Sequence, residues 1–273
     1  MPFTSKKIGF IGAGAMAEAM VKSILGSGLI QGTAIWASDV NLDRGRYLTE
    51  QYGINFLENN QDLVKQADIV IYAVKPFMLG EVLAEVSTHT NRQQLHISIA
   101  AGIKLDFIEQ KLPEGIPVVR VMPNTACLIG AGASGYALGK SVGPEAEKTV
   151  KAILDCTGVA VKVPEHLLNA VTGLSGSGPA YVFLILEALT DGAVKAGLPR
   201  DTAGVLAAQT LIGSARMVLE TGKHPAVLKD MVTTPGGTTI AGLHVLEKGK
   251  LRGALMDAVL TATQRADELG KGK

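Results

Sequence analysis

The side chains able to do acid-base or nucleophilic work are few and scattered. His89, His96, His166, His224 and His244 sit in unrelated settings, and none is spaced with a carboxylate to make a proton relay. Each reads as structural: His89 lies in a polar loop, and His224 precedes Pro225 at an expected helix start. Cys127 and Cys156 offer neither metal-ligand spacing nor a disulfide framework, so no metal is expected and a reducing cytoplasm is the default compartment. Ser175-Gly176-Ser177-Gly178 looks like a nucleophile loop but lacks the strand that a nucleophile elbow requires. The chemistry left is hydride transfer, which needs positioning and electrostatics more than a protein nucleophile.

The residues that could position a dinucleotide are concentrated. Gly12-Ala13-Gly14-Ala15-Met16-Ala17 is a G-x-G-x-x-A sequence directly after the apolar run that ends at Ile11, and it opens a helical pattern. In that setting Gly12 makes the tight turn, Gly14 lets the backbone meet a pyrophosphate, and Ala17 packs the helix on the strand. The helix N-terminus then faces the anion. A glycine-rich strand-to-helix turn without a ligand is the bland alternative. A second run ends at Ser38-Asp39, where a carboxylate would accept hydrogen bonds from a free ribose 2′-hydroxyl and repel a 2′-phosphate, which favours NADH over NADPH. Against this, Asp39 could cap the helix starting near Asn41, and Arg44 and Arg46 are close enough in sequence to serve a phosphate. Ala73-Val74-Lys75-Pro76, Ala100-Ala101-Gly102 and Met122-Pro123-Asn124-Thr125 follow further strand-like runs, and their small side chains leave room for a nicotinamide ring. Lys75 is either a ligand contact or a solvated lysine.

Two further segments could bind a small anion. Leu174-Ser175-Gly176-Ser177-Gly178-Pro179 and Thr233 to Thr239 read as glycine-loosened, hydroxyl-rich loops at helix N-termini, able to hold a carboxylate on free amides and hydroxyls. The alternative is ordinary capping by Ser177 and Thr238.

The elements that must position these groups follow from periodicity. Short β-branched runs at 8–12, 34–38, 68–74, 95–100 and 117–122 alternate with helical patterns and are apolar on both faces, as in buried parallel strands. This predicts an α/β fold, an N-terminal Rossmann-type doubly wound, mainly parallel sheet over residues 1–163. The runs at 133–138 and 159–163 are expected to extend it at the far edge. From 164 to 273 the pattern is helical, predicting an all-α domain for substrate binding and dimerisation. The helix from Pro179 to Gly197 is apolar around most of its circumference, so an obligate dimer through this domain is expected, with a monomer whose domains cover each other as the alternative.

Composition narrows the classes of partner. With 47% hydrophobic and 19% charged residues the chain can bury a core. Its 26 basic and 25 acidic side chains leave no surplus to draw it to nucleic acid or to an anionic membrane. Lys6 and Lys7 before the apolar run 8–21 superficially copy a secretory signal, but Glu18 interrupts the run and the glycines have the explanation above, so a soluble, uncleaved protein is expected.

Six segments together resemble the pyrroline-5-carboxylate reductase family: IGFIGAGAMA at 8–17, AVKP at 73–76, SIAAG at 98–102, VMPNT at 121–125, AVTGLSGSGPAYVF at 170–183 and HPAVLKDMVTTPGGTTI at 224–240. The resemblance runs almost end to end. It implies reduction of L-1-pyrroline-5-carboxylate to L-proline, the last step of proline biosynthesis, by NADPH or NADH. It implies a homo-oligomer of at least a dimer, with pentamers of dimers common in the family. Carried over, the cofactor contacts fall on Ile11, Gly12, Ala13, Gly14, Ala15, Met16, Asp39, Asn60, Ala73, Val74, Lys75, Pro76, Ile99, Ala100 and Ala101. The substrate loop falls on Gly236, Gly237, Thr238 and Thr239, with the Thr239 hydroxyl near the ring nitrogen as the catalytic group. Ser177 and Asn124 would shape the substrate pocket, and the two loops would come from different protomers. Asp39 departs from the serine or threonine of several relatives, and Gly222 stands where some have an acidic residue near the substrate. A cyclic imine can be protonated by solvent, which agrees with the thin acid-base inventory. The runner-up is a β-hydroxyacid dehydrogenase-like oxidoreductase, disfavoured because Val182 and Leu186 stand where that family has its lysine and asparagine. Other imine reductases and a non-catalytic dinucleotide-binding regulator complete the alternatives.

Overall fold

Alternation within the strands sorts side chains to two buried faces, and both are covered by helices. The computed structural model describes residues 6–271. Strands β1 (Ile8–Ile11), β2 (Ile35–Ser38), β3 (Asn55–Phe56), β4 (Ile69–Tyr72), β5 (Leu95–Ser98), β6 (Val118–Met122), β7 (Gly132–Leu138) and β8 (Gly158–Lys162) form one sheet in the order β3-β2-β1-β4-β5-β6-β7-β8. All pairings are parallel except β6 with β7. That exception follows from the short connection Pro123–Ala131, which has no room for a helical crossover. The two outer runs expected at the far edge are β7 and β8, as expected. β3 is only two residues long and lies where no apolar run marks it; its residues are half-buried at the sheet's edge.

On one face Ile69 and Ile71 join Ile8, Phe10, Ile35, Ala37, Ile97, Val119 and Val121, covered by α1 (Ala15–Gly26) and by α6 (Pro144–Asp155). On the other face Val70 and Tyr72 join Val118, covered by α3 (Asn60–Gln66), α4 (Leu79–Val86) and α5 (Leu105–Lys111). Helix α2 (Leu42–Tyr52) begins at Asn41, whose side chain accepts from the Asp43 and Arg44 amides. The order reverses between β1 and its neighbours β2 and β4, the place where ligands of such sheets bind beyond the strand C-termini.

After Lys162 every regular element among the described residues is helical. α7 (Leu168–Val171) runs into a π-helical turn, Thr172–Gly176, and is followed by α8 (Gly178–Lys195), α9 (Arg200–Thr221), α10 (Pro225–Met231), α11 (Thr238–Lys248) and α12 (Leu251–Lys271). His224 caps α10, its Nδ1 accepting from the Ala226 amide at 3.2 Å, in keeping with the structural role expected of it. Gly222 closes α9 in the left-handed region with φ 64°, a conformation that explains the glycine at this position. α9 is long and apolar enough to cross a membrane by length and composition alone, and little of it is buried.

The chain packs as two compact units, one comprising the segment up to Ser177 together with that from Thr261 onward, the other Gly178–Leu260. In the first unit α7 lies on the sheet, with Leu168 fully buried. Arg120 of β6 is 5% exposed and pairs with Glu165, which also accepts from the Leu105 amide at the start of α5. Asn169 donates to Asp267 of α12 at 2.5 Å, tying the end of the last helix to the same unit. In the second unit large apolar side chains remain uncovered, among them Phe183 and Leu184 on α8, Val205 and Leu219 on α9 and Val245 on α11.

Candidate active site

The turn after β1 has two glycines with different reasons for being glycine. Gly12 has φ 100°, and a Cβ there would stand 2.6 Å from the Ala73 carbonyl oxygen, so the fold itself demands it. Its amide donates to the Ser38 carbonyl at 2.8 Å, drawing β1 and β2 together where they end. Gly14 has an ordinary φ of −72°, and a Cβ there would meet nothing within 4 Å. Nothing in the chain's own packing excludes a side chain at Gly14; what a side chain would fill is the approach to the first turn of α1. That turn begins at Gly14 without a side-chain cap, leaving its amides for an anion. These features fit the pyrophosphate of a dinucleotide.

The same turn forms one wall of a cavity of about 480 Å³ at the C-terminal ends of β1, β2, β4 and β5. Of the residues expected to contact the cofactor, Ile11, Gly12, Gly14, Ala15, Met16, Asp39, Asn60, Ala73, Val74, Lys75, Pro76, Ile99, Ala100 and Ala101 all line it. Ala13 does not; it is fully buried and its amide donates to Asp39 Oδ2 at 2.6 Å. Sequence reasoning missed Ser38, Val40, Met78 and Val82 as lining residues. Ser38 and Val40 could have been found from their places at the end of β2, whereas Met78 and Val82 arrive on a turn and helix that carry no motif. Met122 and Pro123 complete the wall, as their strand-end position suggested.

Several polar side chains here are already committed. Asp39 Oδ1 accepts from the Asn41 amide at 2.8 Å, so Asp39 supports the loop before α2 while Asn41 itself is the cap, which corrects the alternative reading of Asp39 as the cap of that helix. Asn60 accepts from the Ser38 hydroxyl at 2.7 Å and donates to Glu85 at 2.9 Å. Lys75 is exposed at the start of the 3₁₀ turn Pro76–Met78. Glu18, in the first turn of α1, is pushed up by partial burial, but hydrogen bonds from Arg44, Tyr52 and Tyr47 outweigh this and hold its carboxyl below the usual range. Tyr52 in turn is raised to about 12, first by burial and then by its bond to Glu18.

Asn124 is 9% exposed and does not line the cavity. Its Nδ2 donates to the Ser175 carbonyl at 3.0 Å and its Oδ1 accepts from the Ala133 amide at 3.1 Å, so it binds the end of β6 to β7 and to the π-helical turn. The segment that reads as a loop at 174–179 is therefore not one. Leu174 to Gly176 belong to that turn, and the Ser177 amide donates to the Thr172 carbonyl at 2.8 Å instead of standing free. Extra-residue turns of this kind occur often at functional sites.

The second anion segment keeps the expected form. Gly236, with φ 69°, turns the chain into α11, and Gly237 is its N-cap with no side-chain cap bond. Thr238 and Thr239 are the first two helical residues, so Thr238 is not the cap that ordinary capping would make it. The first-turn amides of α11 lack helical acceptors by construction and are available to a carboxylate. Among the described residues no group of three or more His, Cys, Asp or Glu side chains could hold a metal ion.

A mainly parallel sheet with a glycine turn and a cavity at its switch point, followed by a helical segment, defines an NAD(P)-dependent oxidoreductase of the Rossmann class. Residues 7–102 match the family described as NADP oxidoreductase, coenzyme F420-dependent, and residues 165–269 match that described as pyrroline-5-carboxylate reductase dimerisation. The chain is 48% identical to the pyrroline-5-carboxylate reductase of Methanosarcina acetivorans over 98% of this chain and 99% of that protein. It is similar to the solved pyrroline-5-carboxylate reductase of Coxiella burnetii, with TM-score 0.91 and 36% identity over 97% of this chain and 99% of that one. It is also similar to the Plasmodium falciparum pyrroline carboxylate reductase solved with NADP bound, with TM-score 0.88 and 32% identity over 98% and 99% of the two chains. The chain belongs to the pyrroline-5-carboxylate reductase family.

Proposed function

We propose that the protein reduces L-1-pyrroline-5-carboxylate to L-proline in proline biosynthesis, using NADPH or NADH. The observation that carries this reading is the glycine turn and switch-point cavity in a chain that matches this family from end to end. When bound, a reduced nicotinamide would supply a hydride to the carbon of the protonated imine, giving the neutral secondary amine. Ile11, Gly12 and Gly14 to Met16 hold the pyrophosphate, with Ala13 buried behind them, Asp39 holds the adenosine ribose, and Ala73 to Pro76 with Ile99 to Ala101 hold the nicotinamide half. Gly237, Thr238 and Thr239 take the substrate carboxylate on the amides that open α11, and the Thr239 hydroxyl stabilises the ring nitrogen's proton. Ser177 shapes the pocket. Asn124 acts there through the Ser175 carbonyl that it holds. The absence of a strong general acid is no obstacle, because a cyclic imine is basic enough to arrive protonated and the work left is alignment.

The protein is a homo-oligomer, and we assign the pairing to the helical part at 164–273, with residues 1–163 as the dinucleotide domain. The uncovered apolar side chains of α8, α9 and α11 support this, since a soluble monomer rarely leaves so many exposed. A decamer built as five dimers is the larger assembly we propose. Both cysteines are free, which supports a cytoplasmic location.

The test follows NADH and NADPH absorbance separately on adding pyrroline-5-carboxylate, with acyclic ketoacids as controls. Oxidation with the imine alone supports the reading. Oxidation only with ketoacids moves the enzyme to the β-hydroxyacid dehydrogenases, and binding without oxidation makes it a regulator.

A further inference from the structure

Ala13 is held from both sides by the segment that follows β2. Its amide donates to Asp39 Oδ2 at 2.6 Å, and its carbonyl accepts from Arg44 Nε at 3.0 Å. The two peptide planes flanking Ala13 are thereby both fixed, and those planes decide where the next amides of the turn point. Arg44 reaches the carbonyl because it is held from its other end. Its Nη2 donates to Glu18 Oε2 at 2.6 Å, its guanidinium lies 5.0 Å from the centre of the Tyr47 ring, and Glu18 Oε1 accepts from the Tyr47 and Tyr52 hydroxyls at 3.0 Å each. Glu18 stands in the first turn of α1, where an unpaired carboxylate would compete with a ligand anion for the positive end of the helix. The arginine and two phenols absorb that charge.

We infer that Arg44 is a positioning residue that, with Asp39, clamps the dinucleotide-binding turn through Ala13, and that it is not a ligand for the 2′-phosphate of NADPH. This rests on the dinucleotide reading of the turn. The planar fork is what the task requires, since one side chain must donate to a carbonyl and to a carboxylate in fixed directions; lysine keeps the charge but not the geometry. It follows that Arg44 serves both dinucleotides equally, and that any choice between them falls to other groups at the end of β2.

The test is equilibrium binding of NADH and NADPH, each titrated by nicotinamide fluorescence, to the full-length protein and its variants at one ionic strength, with melting temperature recorded for each. Arg44→Met and Arg44→Lys should both weaken NADH and NADPH by about tenfold, leaving the ratio of the two constants within about twofold of wild type. Glu18→Gln should act in the same direction, and combined with Arg44→Met should add little to it, because the two residues work through one contact. Loss of NADPH affinity alone in Arg44→Met, restored by Arg44→Lys, would make Arg44 a phosphate ligand and overturn the inference. A lowered melting temperature with both constants unchanged would overturn it too, leaving a purely structural brace. Gly14→Val separates the two levels: if this folded variant binds dinucleotide normally, the reading of the turn fails and the clamp with it. If Gly14→Val loses binding while Arg44→Met keeps it, the clamp alone fails.

Discussion

Acid should destabilise this protein with a slope set largely by one buried imidazole. His96 of β5 is fully buried, and its Nδ1 shares a hydrogen bond of 2.8 Å with the hydroxyl of Tyr72 on β4. Its Nε2 has no hydrogen-bond partner among the described residues. Burial without a compensating anion holds the folded-state pKa down to about 3, against 6.5 for an ordinary histidine. Below pH 6.5 the unfolded chain therefore takes up a proton at this position that the folded chain refuses until about pH 3. Because the unfolded state binds more protons throughout that window, stability is full above it and declines as the pH falls. Linkage gives a loss of roughly 2 kcal/mol by pH 5 and on the order of 4 kcal/mol by pH 3, with a limiting slope of about 1.4 kcal/mol per pH unit. The comparison is with Tyr72→Phe/His96→Leu, which removes both polar ends of the pair together and avoids stranding either one in the core. Glu18 and Asp106, whose carboxyls are also held below the usual range by their partners, are present in both proteins, so their contribution cancels. Urea unfolding at fixed protein concentration, followed through the single tryptophan, Trp36, from pH 7.5 to pH 4.5, gives stability at each pH. The wild type should lose stability with acid more steeply than the double variant by about one proton. Parallel curves would refute the assignment of the acid sensitivity to His96.

Three substitutions probe the site. Thr239→Ala should lower kcat by about tenfold or more while dinucleotide affinity stays within about twofold, as expected of a hydroxyl acting on the ring nitrogen; unchanged turnover removes Thr239 from the chemistry. Asp39→Ser should raise the preference for NADPH relative to NADH in kcat/KM, because a carboxylate repels the extra phosphate, and should weaken both through loss of the bond to Ala13; an unchanged ratio leaves Asp39 a purely structural group. Gly12→Ala should destabilise the fold by about 2 kcal/mol or more, since a Cβ at φ 100° would press on the Ala73 carbonyl; a melting temperature equal to wild type would contradict that geometry.

Local signals were enough to place most of the cavity wall. The strand ends at Ile11, Asp39, Ala73 and Ile99 could be read directly, because a parallel sheet puts every strand's C-terminus at one edge and the chain order of apolar runs reveals which ends those are. The glycine turn could be read because its requirement is local: a positive φ at Gly12 and space at Gly14. The same holds for α11, whose N-terminus is announced by Gly236 and Gly237. By contrast, Leu174 to Ser177 misled, since glycine and serine in sequence resemble a loop, whereas in the fold the backbone closes into a π-helical turn whose Ser175 carbonyl accepts from the Asn124 side chain just beyond β6.

The periodicity and turn chemistry of the amino-acid sequence alone determined the two architectures and the order of the strands' chemistry-bearing ends, because each depends on residues close together in the chain, and six short segments carried the resemblance to the family. Tertiary structure alone decided which polar groups are free. Asp39, Asn60, Arg44 and Asn124 all carry donors or acceptors suited to a ligand, and each is found bonded to a partner 9 to 51 residues away. Hydrogen-bonding capacity is a property of the residue, but whether it is already satisfied depends on what folding brings beside it, and no spacing along one chain records that.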